Sequence, residues 1–176
     1  MLHGQKIIYV ALVDQNMRMF ENMSTRIWEH EKMIKRFLKD EVCLMGRLTF
    51  DLTRWRGPKS WVITRDLEWK RYKVGTIHNI DDLHLHSEGD VYVLGGKSLF
   101  YALESFVDEV HLFVLNSDEG LIPWIRMNME DWRPGEYTSK AMWSYCHLIR
   151  EKNSTPHKTL ADYFDFDFDF DDLDEF

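Results

Sequence analysis

Cysteine is scarce in this chain: Cys43 and Cys146 are the only two. Both sit in apolar stretches and form neither a Cys-x-x-Cys pair nor a metal-ligand spacing, which argues for a reducing, cytoplasmic setting. Long hydrophobic runs are missing too. Lys6 is followed only by "IIYVALV" before Asp14, too short to cross a bilayer, so neither a signal peptide nor membrane association is expected. Glycine never falls into Gly-x-Gly-x-x-Gly, so the ordinary dinucleotide fingerprint is absent. The eight histidines are scattered. His84 and His86 could share a strand face, but no third ligand lies near them, and no metal site is expected. There is no internal repeat.

What is present reads as one globular body with an appendage. Hydrophobic residues make up 44% of the 176 and aromatics 14%, enough for a single domain with a substantial core. The net charge is −8, and its location decides its meaning. Residues 161–176, "ADYFDFDFDFDDLDEF", hold seven Asp, one Glu and no Lys or Arg, so they carry all of it. The remainder balances 22 acidic against 22 basic residues and offers no electrostatic footprint for direct nucleic-acid binding. "KNSTPHK" (152–158) is polar and carries Pro156. Residues 1–151 are therefore expected to form the domain, 152–160 a linker and 161–176 an acidic-aromatic tail.

Continuous apolar runs suit buried strands at 6–13, 42–45, 60–64 and 90–95, with further strands at 109–115 and, late in the chain, 141–150. Helix patterns at 25–38, 47–54 and 97–106 fall between them. This alternation predicts an α/β fold, a mostly parallel central sheet with flanking helices on both faces. The late strand has no helix after it and is expected to add antiparallel.

Two strand-to-helix joints carry glycine: "LMGRLTF" (44–50) and "VLGGKSLF" (93–100). Glycine there lets a ligand approach the backbone, and Arg47 and Lys97 add positive charge. Two tight turns would look the same. In "RIWEHEKMIKRF" (26–37), Ile27, His30, Ile34, Phe37 and Leu38 recur at helical spacing, so His30 faces inward. Glu31 can pair with Lys35, and Glu29 with Lys32 or Arg36. His30 is then either a core histidine bonded to a carbonyl or a group that moves a proton.

The order of these pieces resembles a dihydrofolate reductase. "IIYVALVDQN", "VCLMGRLTF", "GPKSWVITR", "VYVLGGKSLFYALESFVDEVHLFVL", "EDW" and "WSYCHLIRE" follow one another over most of residues 6–151 in that family's order and spacing. The resemblance implies a dihydrofolate reductase-like fold and NADPH as cofactor. It implies phosphate contacts from Gly46, Arg47 and Thr49, contacts to the 2′-phosphate from Thr64 and Arg65, and a cis-linked Gly95-Gly96 beside the nicotinamide.

On the substrate side the sequence departs from the family. There an inward Asp or Glu on the first helix hydrogen-bonds the pterin and helps to deliver a proton. Counted from Gly46 without gaps, that position is His30, with Glu29 and Glu31 as alternates under a one-residue shift. The expected Pro-Trp pair is replaced by "MSTRIW". The loop glycine after the first strand falls near Met17-Arg18, and the arginine that grips the folate glutamate near Pro58. The threonine that hydrogen-bonds the acid is Phe113. Ile8, Ile34, Leu94 and Phe113 would line an apolar pocket. A carboxylate can accept two hydrogen bonds from the amino-pteridine edge, a neutral imidazole one. Histidine still titrates near neutrality and so can deliver a proton.

Two functions follow. One is NADPH-dependent reduction of dihydrofolate or a related pterin by a degraded substrate site. The other is a catalytically impaired reductase fold that binds a protein through its tail. In the tail, Phe164, Phe166, Phe168 and Phe170 alternate with aspartates, and Phe176 ends the chain as given. Alone, such a segment is expected to stay disordered. Extended, it sets phenylalanines on one face and carboxylates on the other, a pattern that orders on a basic, apolar groove. "DDLDEF" also resembles the acidic tips of single-stranded DNA-binding proteins, which end in phenylalanine and recruit replication enzymes. A protein partner with a basic groove is expected.

Overall fold

The computed structural model describes residues 4–20, 32–53, 55, 57, 59–85, 88–124 and 129–151. Among the described residues, ten strands form one mixed sheet: β1 (Ile7–Asp14), β2 (Arg18–Met19), β3 (Val42–Gly46), β4 (Ser60–Ile63), β5 (Gly75–Ile77), β6 (Val91–Val93), β7 (Val107–Leu115), β8 (Ile122–Pro123), β9 (Trp132–Ser139) and β10 (Trp143–Arg150). Their order is β5-β4-β3-β6-β1-β7-β10-β9, and β2 pairs with both β1 and β8. From β5 to β7 all neighbours run parallel. β10 and β9 close the sheet antiparallel, as expected for a late strand with no helix pattern following it in the sequence.

Alternation along β1 shows why its run is apolar throughout. Ile7, Tyr9, Ala11 and Val13 face a core that includes Leu99, Phe100 and Leu103 of α3 (Lys97–Leu103). Val10 faces the other layer, with Phe50 of α2 (Arg47–Thr53), Ile34 of α1 (residues 32–37) and Leu38 just after it. A strand covered on both faces loses the polar alternation of a half-exposed one. Tyr9 is fully buried because its hydroxyl donates to the Phe100 carbonyl.

Several expectations shift. Of the helix predicted at 25–38, residues 25–31 lie outside the described residues. The helix predicted at 97–106 stops at Leu103 and continues as a 3-10 turn, Glu104–Phe106. His84 lies in a 3-10 helix, Ile80–Leu85, rather than on a strand, and His86 is outside the described residues. β5 and β9 carry no apolar run. β9 is an outer strand whose residues 133–137 are all exposed, including Pro134 and Gly135, which an edge position tolerates.

The carboxyl end of β1 is closed by a buried anion. Asp14 Oδ1 accepts from the Asn16 and Arg18 backbone N–H groups at 2.8 and 2.9 Å. Oδ2 accepts from Arg18 Nε at 3.1 Å, Arg18 Nη2 at 2.9 Å and Gly120 N–H at 3.2 Å. Burial opposes ionisation here, but the hydrogen bonds from Arg18 and Asn16 outweigh it and hold the carboxyl below its ordinary range. The turn so fixed puts Met17 at φ 57°, the left-handed conformation that favours glycine. Where the family is expected to have a glycine, this chain seats a methionine in a glycine-like backbone.

Candidate active site

β3 and β6 are adjacent and parallel, with Leu44 opposite Val93, so their carboxyl ends bring the two glycine joints together. Gly46 N–H donates to the Gly95 carbonyl at 2.7 Å, and Leu94 N–H to the Leu44 carbonyl at 2.8 Å. The Gly95-Gly96 peptide is cis. A Cβ placed on Gly96 would lie 3.3 Å from Thr49 Oγ1, and one on Gly46 3.5 Å from the Gly96 nitrogen. Three glycine backbones and one hydroxyl thus converge at one edge of the sheet, where a planar ligand can reach main chain.

Beside this edge an open cleft of about 680 Å³ runs between α2 and the segment after β4. Arg47, Leu48 and Asp51 form one wall, and residues 66 and 68–71 the other. Thr64 and Arg65 directly follow β4, just before that second wall, but do not line it. The Thr64 hydroxyl accepts from Asp66 N–H at 3.2 Å, and its carbonyl sits 2.7 Å from His78 Nδ1. Trp69 is buried edge-on against Phe50 at 5.5 Å, with the Arg71 guanidinium 5.3 Å over its ring.

Of the residues lining this cleft, only Arg47 is expected from the sequence. Arg47 Nη1 lies 3.8 Å from Asp66 Oδ2, both side chains partly exposed. A carboxylate therefore competes for the arginine assigned to a phosphate. The signal was available in "TRD" (64–66), where an acid directly follows the basic residue.

On the other side, Ile34, Leu94 and Phe113 join one apolar cluster with Val10 and Met45. Phe113 packs against Tyr145 at 5.2 Å and Phe37 at 5.9 Å, so an aromatic ring fills the place expected for a hydroxyl. Ile8 is buried, on the same β1 face as Val10 by alternation, but is not packed into that cluster. His30, Glu29, Glu31 and Pro58 lie outside the described residues, as do the tail residues Phe164, Phe166, Phe168, Phe170 and Phe176.

A mostly parallel sheet with bare glycine backbone at its carboxyl edge, beside a cleft holding Arg47, defines an α/β protein built to take a ligand at strand ends. The chain belongs to the dihydrofolate reductase family, whose profile matches residues 6–143. A dihydrofolate reductase from Staphylococcus aureus is 27% identical over 135 residues, covering 73% of this chain and 78% of that one. In three dimensions the chain is similar to the dihydrofolate reductase from Enterococcus faecalis complexed with NADP(H) and RAB-propyl. That match has a TM-score of 0.69 and 13% identity, over 83% of this chain and 96% of that one. No helix among the described residues is long and apolar enough to cross a membrane.

Proposed function

We propose that this chain binds NADPH along the carboxyl edge of its sheet and reduces dihydrofolate or a related pterin, through a substrate site poorer in polar contacts than the family's. The observation that carries this reading is the convergence of Gly46, Gly95, Gly96 and Thr49 beside Arg47. When bound, NADPH supplies a hydride. The Gly95-Gly96 pair leaves main chain uncovered for the nicotinamide end. Gly46, Arg47 and Thr49 are assigned to the phosphates, and Thr64 and Arg65 to the 2′-phosphate. Asp66 must release Arg47 for this, and an exposed pair at 3.8 Å holds it only weakly. His30 stands at the proton-delivering position, with Glu29 and Glu31 as alternates. Phe113 offers no hydrogen bond to it, and Ile34, Leu94 and Phe113 supply apolar walls. Ile8 is assigned to the same pocket.

Arg47→Ala and Arg65→Ala are each expected to weaken NADPH binding by roughly 1.5–3 kcal/mol, the worth of a charge-assisted phosphate contact. Arg65→Ala should also narrow the preference for NADPH over NADH. Titration by energy transfer from the tryptophans reads both. No transfer from wild type at millimolar NADPH ends the cofactor assignment.

Dihydrofolate turnover is expected to be slow and to depend on His30. His30→Asp should raise it, because a carboxylate restores the second acceptor. A fast wild type whose rate survives His30→Ala would move the role to Glu29 or Glu31. Binding of NADPH and methotrexate to the purified protein separates the readings: both support a reductase, NADPH alone a changed substrate.

If neither binds, the second reading stands, a reductase fold acting as a protein-binding module. The alternating Phe and Asp of residues 164–170 favours it, since six aromatics in sixteen residues exceed what solubility needs. The test is a pull-down with the full chain and with a chain stopped after Lys158. Identical captures reduce the tail to a solubilising segment.

A further inference from the structure

Two strands across the sheet from Gly95, the β7–β10 pairing builds a second cluster. His147 is registered directly across from His111, and Glu109 precedes His111 by two on the same β7 face. The two imidazoles stack at 4.4 Å with 6° between planes. His147 Nε2 lies 3.0 Å from Glu109 Oε2. His111 Nδ1 lies 2.7 Å from the Tyr145 hydroxyl. One nitrogen from each histidine and one carboxylate oxygen all fall within 4.8 Å of one another.

We propose that Glu109, His111 and His147 form a divalent transition-metal site of the Zn²⁺ class. Two imidazoles and one carboxylate are a borderline nitrogen-oxygen donor set, suited to Zn²⁺ rather than to Mg²⁺ or Ca²⁺. In the tautomer that donates Nδ1–H to Tyr145, His111 keeps its Nε2 lone pair for the ion, and Tyr145 fixes the ring as an outer partner does in metal sites. His147 Nε2 and Glu109 Oε2 already stand near the separation of two ligands on one tetrahedral ion, roughly 3.3 Å. The two imidazole planes are nearly parallel, so one ring must turn before both in-plane lone pairs can meet a single ion. Room for the His147 ring comes from Gly135 on β9, where a Cβ would meet Nδ1 at 2.9 Å. Phe37 and Tyr92 cover His111 from the α1 side, at 4.9 and 6.4 Å between centroids. A fourth position faces the partly exposed Glu109–His147 side and is left to water.

One group opposes the ion. Lys6 Nζ sits 2.7 Å from Glu109 Oε1, with its side chain half exposed, and can swing out when a dication arrives. Lys6 is thus a built-in competitor, and its removal is diagnostic. A purely structural ion-pair cluster would give Lys6 no such role.

The experiment is titration of the full chain with Zn²⁺ by calorimetry and with Co²⁺ by its visible d–d absorption. The expected result is one ion per chain with a four-coordinate Co²⁺ band. His147→Phe, which keeps a stacked ring, should weaken binding by at least about tenfold. Glu109→Gln should weaken it too, and Lys6→Met should tighten it. Circular dichroism confirms that each variant is folded. Three results overturn the proposal: no saturable binding by wild type, a folded His147→Phe or Glu109→Gln that binds as wild type does, or a Lys6→Met that binds no tighter. Failure of NADPH binding leaves it untouched, because the two sites share no residue.

Discussion

Asp14→Ala is expected to lower the unfolding free energy by about 3 kcal/mol, more than any surface change in this chain. Breaking a buried ion pair costs roughly 3–5 kcal/mol, and Arg18 recovers part of that from solvent because its side chain is 35% exposed. Three backbone or loop donors lose their acceptor at the same time: Asn16 N–H, Arg18 N–H and Gly120 N–H. The effect has a pH signature. The folded carboxyl titrates below its unfolded value of 3.8, so its contribution is complete above about pH 4 and fades as pH falls through the folded value. Guanidinium unfolding at pH 7 and pH 3 measures it. The gap between wild type and Asp14→Ala should be smaller at pH 3. An equal gap at both would mean that the charge contributes nothing and only the packing of the turn matters.

Gly95→Ala is expected to be nearly as costly, about 2–4 kcal/mol, for two reasons that add. Gly95 has φ +101°, which a side chain rarely adopts. Its Cβ would also stand 2.8 Å from the Phe100 ring, which is buried between Tyr9 and Trp124 and cannot retreat. Gly89→Ala is the control, since a Cβ there meets nothing within 4 Å, and its effect should stay within about 0.5 kcal/mol. If denaturant midpoints show the two variants to be equally stable, the strand-end glycine is not constrained as described.

Much of the architecture was legible because burial on two faces leaves a plain mark. The stretches 6–13, 42–45, 60–64, 90–95 and 109–115 are mostly apolar, and each holds a strand of the parallel part of the sheet. The glycine joints were legible as well, since glycine at a strand end before a helix has few other uses. β5 and β9 were not. A three-residue strand and an exposed edge strand bury too little to bias composition, and they exist because a neighbour offers unpaired N–H and C=O groups.

The candidate sites divide along the same line. The sequence by itself determined which residue types stand at the strand ends and that the charge lies in residues 161–176. Only the tertiary structure decided what meets what. Asp66 reaches Arg47 because β3 and β4 end side by side in register. Met17 takes a glycine's conformation because five hydrogen bonds to Asp14 hold the turn. His111 and His147 stand 36 residues apart and share no spacing motif, yet the antiparallel register of β7 and β10 stacks them beside Glu109. Pairing across strands is set by backbone hydrogen bonds and by the core on the far face, and neither leaves a local pattern in the residues it brings together.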